Sequence, residues 1–296
     1  MNWIFYSVLT AITGSFWNIE NKMGLDYIQT SGFIAYFNLV ALLLILLFAF
    51  YKRQKLRPEK YSILCGITQG TALLFLNSAF NSIWHPQNPG IIMAVFRIQV
   101  LFTLFLNILI FKTTLELNKL IFIFLILVGI YLIAIGQRGH SDHKTEDMTW
   151  IVYSIIAAIL MSIKDIFIKF ASNVKKNTVD NIVVNTIFIQ TIIFLLYDFI
   201  KQDNLDAINK QNKSVFTSSA DYKYILLCGI AYFLYIYFLS VACKLAKNVG
   251  HVKAIDCLGI AITTIAASYL FDKPINITTI IGIMLIVINI ILLSIL

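Results

Sequence analysis

Ten apolar runs, each near twenty residues long, divide almost the whole of this 296-residue chain. They cover roughly 3–21, 30–50, 61–80, 89–110, 119–136, 149–170, 180–200, 222–243, 250–271 and 276–295. A bilayer core of about 30 Å needs about 20 apolar residues as a helix. Backbone polar groups in lipid must be satisfied within the segment, and runs of this length are too long for barrel strands. The expected fold is therefore all-α, a polytopic membrane protein with ten transmembrane helices. Only 13% of residues are charged and 59% are hydrophobic, against about 25% and 45–50% in soluble domains. That composition excludes a soluble enzyme, a nucleic-acid binder and a disordered chain, and the loops leave no room for a soluble domain.

The charge of +8 matters through its placement. With the N-terminus inside, the four inside loops hold thirteen basic residues and the five outside loops hold eight. Excess Lys and Arg marks cytoplasmic loops, so both termini are expected in the cytoplasm. The first apolar run starts at Trp3 with no basic stretch before it, which reads as a first membrane helix and not a cleaved signal. Cys65, Cys228, Cys243 and Cys257 lie in apolar runs without metal-ligand spacing and read as small core residues. Asn212-Lys213-Ser214 is a glycosylation sequon in the longest outside loop, or a chance match in an Asn-, Lys- and Ile-rich chain. His140, Asp142, His143 and Glu146 read as a solvated charge run, so neither a metal nor a cofactor is expected.

The chain repeats itself. Residues 3–22 match 150–169 at an offset of 147, with nine of twenty positions identical, from Trp3 over Trp150 to Lys22 over Lys169. Leu64-Cys65-Gly66-Ile67 lies over Leu227-Cys228-Gly229-Ile230 at an offset of 163. Asn88, Gly90, Ala94, Thr103 and Phe111 lie over Asn248, Gly250, Ala254, Thr263 and Phe271 at an offset of 160. Matched Trp, Tyr, Cys, Gly and Asn do not follow from Leu and Ile enrichment. The repeat units, 1–136 and 149–296, hold five spans each. Five is odd, so the second copy is expected to cross the membrane in the opposite sense. Inverted repeats are a physical route to alternating access around a midplane site.

Two five-helix halves of this size resemble the drug/metabolite transporter superfamily, in particular its EamA-type members. The residues that carry the likeness are Gly14-Ser15-Phe16-Trp17 leading to Lys22, Ser162 leading to Lys169, Pro89-Gly90 opening the fourth span, Phe111 before Glu116, and Gly129 in the fifth. In the second half they are Gly250, Phe271-Asp272 and Gly282. Lys112, where an acidic residue is common, and Arg97 in mid-helix depart from the pattern. The resemblance implies a secondary transporter of a small metabolite.

Charge inside the spans points to where the solute would bind. An ionisable group near the bilayer centre costs about 2.5–3.5 kcal/mol on insertion scales and faces a bundle interior or a wet cavity. Arg97 lies near the middle of the fourth span, Lys164, Asp165 and Lys169 in the sixth, and His251, Lys253 and Asp256 in the ninth. Glu20 and Lys22 end the first. Spacing allows Asp165 to meet Lys169 and Lys253 to meet Asp256 on one helix face, with Glu20 available to Arg97 or Lys164. Those eight residues without His251 comprise five cations and three carboxylates, an electropositive surplus that suits an anionic or zwitterionic solute. The substrate-binding candidates are Arg97, Lys164, Lys253, Asn18, Trp17 and Gln99. Asp165, Asp256 and Glu20 are candidates for proton coupling or for simple charge pairing. Two other readings stay open: a channel or passive pore, and a membrane-embedded transferase, although no paired catalytic groups are found. The expected partners are a small-molecule solute and the lipid bilayer, with no nucleic acid.

Overall fold

The computed structural model describes residues 3–27, 30–82, 93, 95–113, 116–136, 149–206, 219–270 and 275–295. Pro89-Gly90, the His140–Glu146 run, Asn212 and Phe271-Asp272 lie outside them, as does the side chain of Lys22.

The described residues form α-helices: α1 (Trp3–Tyr27), α2 (Thr30–Tyr51), α3 (Lys60–Ser82), α4 (Gln99–Phe111), α5 (Leu117–Gly136), α6 (Thr149–Lys169), α7 (Val179–Asp206), α8 (Ser219–Leu245), α9 (Val249–Asp256), α10 (Leu258–Leu270) and α11 (Ile277–Ile295). A π-helical turn, Phe170–Val174, extends α6. Among the described residues, seven stretches are long and apolar enough to cross a membrane: Gly32–Tyr51, Lys60–Ala79, Leu117–Gly136, Thr149–Val174, Val179–Ile200, Tyr222–Leu245 and Val249–Leu270. Gln99–Phe111 and Ile277–Leu293 are shorter apolar helices. Large apolar side chains lie bare on the outside, among them Phe50, Tyr51, Leu109, Ile277 and Tyr269, far more than a water-soluble monomer exposes.

The ninth apolar run is not regularly α-helical throughout. It is broken at Cys257, between α9 and α10, and the fourth run is broken at Arg97-Ile98, before α4. In both breaks the backbone tightens to i→i−3 bonding. Val100 N–H donates to Arg97 C=O and Ile260 N–H to Cys257 C=O, both at 3.0 Å. An offset of 160 carries one bond onto the other. Ile98 (ψ −20°) and Cys257 (ψ −19°) share the same flattened helical conformation. A single tight turn of this kind in mid-helix commonly marks a hinge or a functional site.

Packing between the halves is likewise duplicated. α1 runs antiparallel to α8, with Tyr6 against Phe238 and Trp17 against Tyr232. Its repeat counterpart α6 runs antiparallel to α3, with Phe167 against Tyr61 and Tyr153 against Phe75. Gly66 of α3 lies on Ile189 and Thr186 of α7, while Gly229 of α8 lies on Val40 and Phe37 of α2. The last helix of each half meets the other at glycine: a Cβ on Gly129 would come within 2.7 Å of Gly282 C=O, and one on Gly282 within 2.6 Å of Gly129 C=O. Missing side chains let the two backbones touch, the means by which membrane helices without a hydrophobic driving force gain packing.

Among the described residues, three chain exits use a left-handed residue that is not glycine: Arg53 after α2, Lys112 after α4 and Lys176 after the π turn, with φ of 54°, 51° and 50°. Each places a cation beside a helix C-terminus, where the peptide dipoles favour positive charge. Phe111 and Tyr61 both pack on Phe170, and Lys52 reaches Asp180, so these three exits lie at one end of the bundle.

Candidate functional site

The breaks bring the membrane charges together. Arg97, in the first break, donates from Nη1 to Asp256 Oδ2 at 2.9 Å, and Asp256 is the last residue of α9 before the second break. Lys253, one turn earlier on α9, sits between two carboxylates, with Nζ 3.5 Å from Asp256 Oδ2 and 3.7 Å from Asp165 Oδ2. Lys164 Nζ lies 2.6 Å from Asp165 Oδ1, and Gln99 Nε2 donates to Asp165 Oδ2 at 2.8 Å. All six residues are buried. Three cations against two carboxylates leave one positive charge in excess. The Arg97 Nε–H, also buried, has no hydrogen-bond partner among the described residues.

Two expected pairings change. Asp165 does not meet Lys169; the carboxylate pairs with Lys164 and Lys253. Lys164 therefore has a carboxylate on its own helix, that of the adjacent residue. Glu20 answers neither Arg97 nor Lys164, since it lies near the far end of α1 with Lys223 as its electrostatic neighbour. Lys169 instead reaches Asn107 Oδ1 at 3.0 Å, the Lys247 carbonyl, and the face of Phe111 at 4.8 Å from its centroid. Lys253 and Asp256 pair as their spacing predicts.

Trp17 and Tyr235 form one wall beside this centre. Their rings stack with centroids 5.7 Å apart and planes 23° apart, and Tyr235 Oη lies 3.4 Å from Lys253 Nζ. Gly14 makes room for Tyr235, since a Cβ there would meet the ring at 3.0 Å. Beyond Trp17, Tyr232 Oη accepts from Gln69 Nε2 at 3.0 Å and donates to Gln190 Oε1 at 2.8 Å. Asn18 is half-buried on α1, one residue beyond Trp17. Tyr235 was not among the residues singled out from sequence; in Tyr-Phe-Leu-Tyr-Ile-Tyr-Phe nothing distinguishes it from its neighbours.

Two serines brace the breaks. Ser15 Oγ donates to Gly259 C=O at 3.0 Å, and Ser162 Oγ donates to Gln99 C=O at 3.1 Å. Each also bonds the carbonyl four residues back, Ala11 and Ala158 respectively. Every atom pair of the first set maps onto the second by the repeat offsets. The charges do not: Lys164 lies over Trp17, Asp165 over Asn18, Lys253 over Met93 and Asp256 over Phe96. A symmetric scaffold thus carries an asymmetric charge set, four members from the second half and Arg97 from the first. Among the described residues, no three His, Cys, Asp or Glu side chains converge as a metal site.

No curated protein matches the sequence. A solved structure titled only "Crystal structure of protein" superposes with a TM-score of 0.79 over 97% of this chain and 94% of that one. At 10% identity this likeness establishes the fold alone. The family model described as the EamA-like transporter family matches twice, over residues 1–135 and 148–295. On that double match the chain belongs to the EamA-like transporter family, as an integral multi-pass membrane protein of a family that moves small solutes.

Proposed function

We propose that the protein is a secondary transporter that carries an anionic or zwitterionic small metabolite by alternating access. Residues 1–136 and 149–296 act as two inverted five-helix repeats, ten spans in all, with both termini in the cytoplasm. Inversion is supported by the directions of packing. α5 and α11 are repeat counterparts and touch each other, yet they run antiparallel, with Gly129 by Gly282 and Gly136 by Thr279. Counterparts related by a two-fold axis lie antiparallel only when that axis runs across the helices, in the plane of the membrane.

The observation that carries the proposal is the Arg97–Asp256 ion pair, 2.9 Å long and made between two broken helices of different repeats. Discontinuous helices with charge at mid-depth are the usual architecture of a transporter's substrate site. Asp256 occupies the place a substrate carboxylate or phosphate would take on the planar guanidinium fork, which binds such groups bidentately. The free Nε–H and the single excess positive charge leave capacity for an incoming anion. Lys253, shared between Asp165 and Asp256, is placed to follow whichever carboxylate the solute displaces. Trp17, Asn18, Gln99 and Lys164 complete the contacts, and Asp165 and Asp256 are the coupling candidates.

A thermal-shift panel of amino acids, nucleotide sugars, phosphorylated sugars and cationic drugs tests this reading, because a solute that binds the folded state raises its melting temperature. Anionic or zwitterionic members are expected to stabilise the protein, and Arg97→Ala to abolish the shift. Stabilisation by cationic drugs alone contradicts it.

A further inference from the structure

We infer that Lys169 is the latch of one mouth of the transport path, holding shut the end of the bundle where α4 stops and α9 begins. This is the cytoplasmic end on the proposed topology, and the inference rests on the alternating-access reading above. Lys169 ends α6 in the second repeat. Its ammonium group donates to Asn107 Oδ1 of α4, in the first repeat, and to the Lys247 carbonyl in the α8–α9 connection, and it lies over the Phe111 ring. Asn107 extends the knot, with Nδ2 donating to Thr113 Oγ1 at 2.9 Å and Oδ1 accepting from Val249 N–H at 3.5 Å. Asn248 Nδ2 also reaches Thr113 Oγ1, at 3.4 Å, while its own Oδ1 caps Gly250 N–H at 2.8 Å.

One cation therefore ties together the ends of α4, α6 and α8 and the start of α9, across the boundary between repeats. Its partners make it a latch and not a permanent staple. Arg97, Lys164 and Lys253 each have a carboxylate within 4.0 Å; among the described residues, Lys169 is held by neutral oxygens and a ring. Uncharged acceptors hold an ammonium less firmly than a buried carboxylate does, so this end can part while the central pairs persist. A π turn follows at once, Phe170–Val174; such turns depart from regular helical bonding and are frequent at functional sites. The lysine thus stands beside a stretch able to change its winding.

Double electron–electron resonance on the full-length protein in nanodiscs tests the latch. Spin labels go at Glu116 and Lys244, exposed positions near this end and outside the knot. The parent is expected to give one predominant distance. Lys169→Met and Thr113→Val are each expected to add a longer-distance population, raised about tenfold by Lys169→Met, a shift equivalent to about 1.4 kcal/mol. Lys169→Arg, which keeps charge and donors, is expected to match the parent. Unchanged distances in both Lys169→Met and Thr113→Val overturn the latch, even where solutes still raise the melting temperature. Widening in a protein that no solute stabilises upholds the latch and counts against the substrate reading alone.

Discussion

Ser15 and Ser162 make the same pair of hydrogen bonds in opposite halves of the molecule, each to the carbonyl four residues back on its own helix and each to a carbonyl just past the break in a helix of the other repeat. The duplication extends to the i→i−3 turns they brace. Replacing either serine by alanine removes one interhelical hydrogen bond, worth about 0.6 kcal/mol on average in membrane proteins. Ser15→Ala and Ser162→Ala are therefore expected to lower the melting temperature slightly and by similar amounts, with nearly additive loss in the double variant. Thermal unfolding of the three variants in one detergent checks this.

The glycine contact between α5 and α11 is far less forgiving. A Cβ at Gly129 or Gly282 approaches backbone carbonyl oxygen at 2.7 or 2.6 Å, so the helices themselves must separate. Overpacking of this kind costs about 1–3 kcal/mol for small additions. Gly129→Ala and Gly282→Ala should each destabilise the protein clearly, and Gly129→Leu should prevent its recovery as a monodisperse species on size exclusion. Gly14→Ala, whose Cβ meets the Tyr235 ring at 3.0 Å and Asp256 Oδ1 at an ordinary 3.9 Å but no backbone atom, should be milder than either.

Removing one carboxylate from the charged centre leaves buried cations without compensation. Asp165→Asn strands Lys164, 2.6 Å away, and weakens the hold on Lys253. Loss of one partner of a buried pair typically costs about 3–5 kcal/mol, whereas replacing the whole pair with apolar groups is often neutral. Asp165→Asn alone should sharply reduce the yield of folded protein, and the double variant Lys164→Met/Asp165→Asn should recover most of it. Fluorescence-detected size exclusion compares the two directly.

At the bundle's edge the same residue types matter little. Lys52, just past α2, lies 3.5 Å from Asp180 and 3.2 Å from Tyr237 Oη, with over a third of its side chain exposed. Burial alone would lower its pKa, but the Tyr237 hydroxyl and the Asp180 carboxylate outweigh it and raise the pKa above the ordinary 10.5. A raised pKa in the folded state contributes stability in full below the unfolded value and loses it as pH climbs through the folded one. Lys52→Met should thus leave stability between pH 6 and 8 nearly unchanged, as solvent screens such pairs, with any effect of the pair fading only above about pH 10.5. Melting curves across pH for parent and variant test this.

The sequence made the helical class, the two halves and the identity of the buried charges legible, for separate physical reasons. Twenty-residue apolar runs admit only helices in lipid, and rare residues such as Trp3 over Trp150 survive comparison against an apolar background. Charges in such runs must face inward, and Arg97, Lys164, Asp165, Lys253 and Asp256 do. Their pairing was hidden because helical spacing speaks only for contacts along one helix. Asp165 and Lys169 satisfy that spacing, but neighbours on α9 and α4 compete for each. The breaks at Arg97-Ile98 and Cys257 were equally silent, since neither contains Gly or Pro. Only the coincidence that Arg97 lies over Cys257 in the repeat could have drawn attention to them.

Counterflow in proteoliposomes is the most direct trial of the whole account, using the panel solute that stabilises the purified protein most. The expected result is labelled uptake accelerated by the same solute on the opposite side, with that acceleration lost in Arg97→Ala. Uptake that proceeds without trans-stimulation, or counterflow that survives Arg97→Ala unchanged, would contradict an exchange centred on the paired helix breaks.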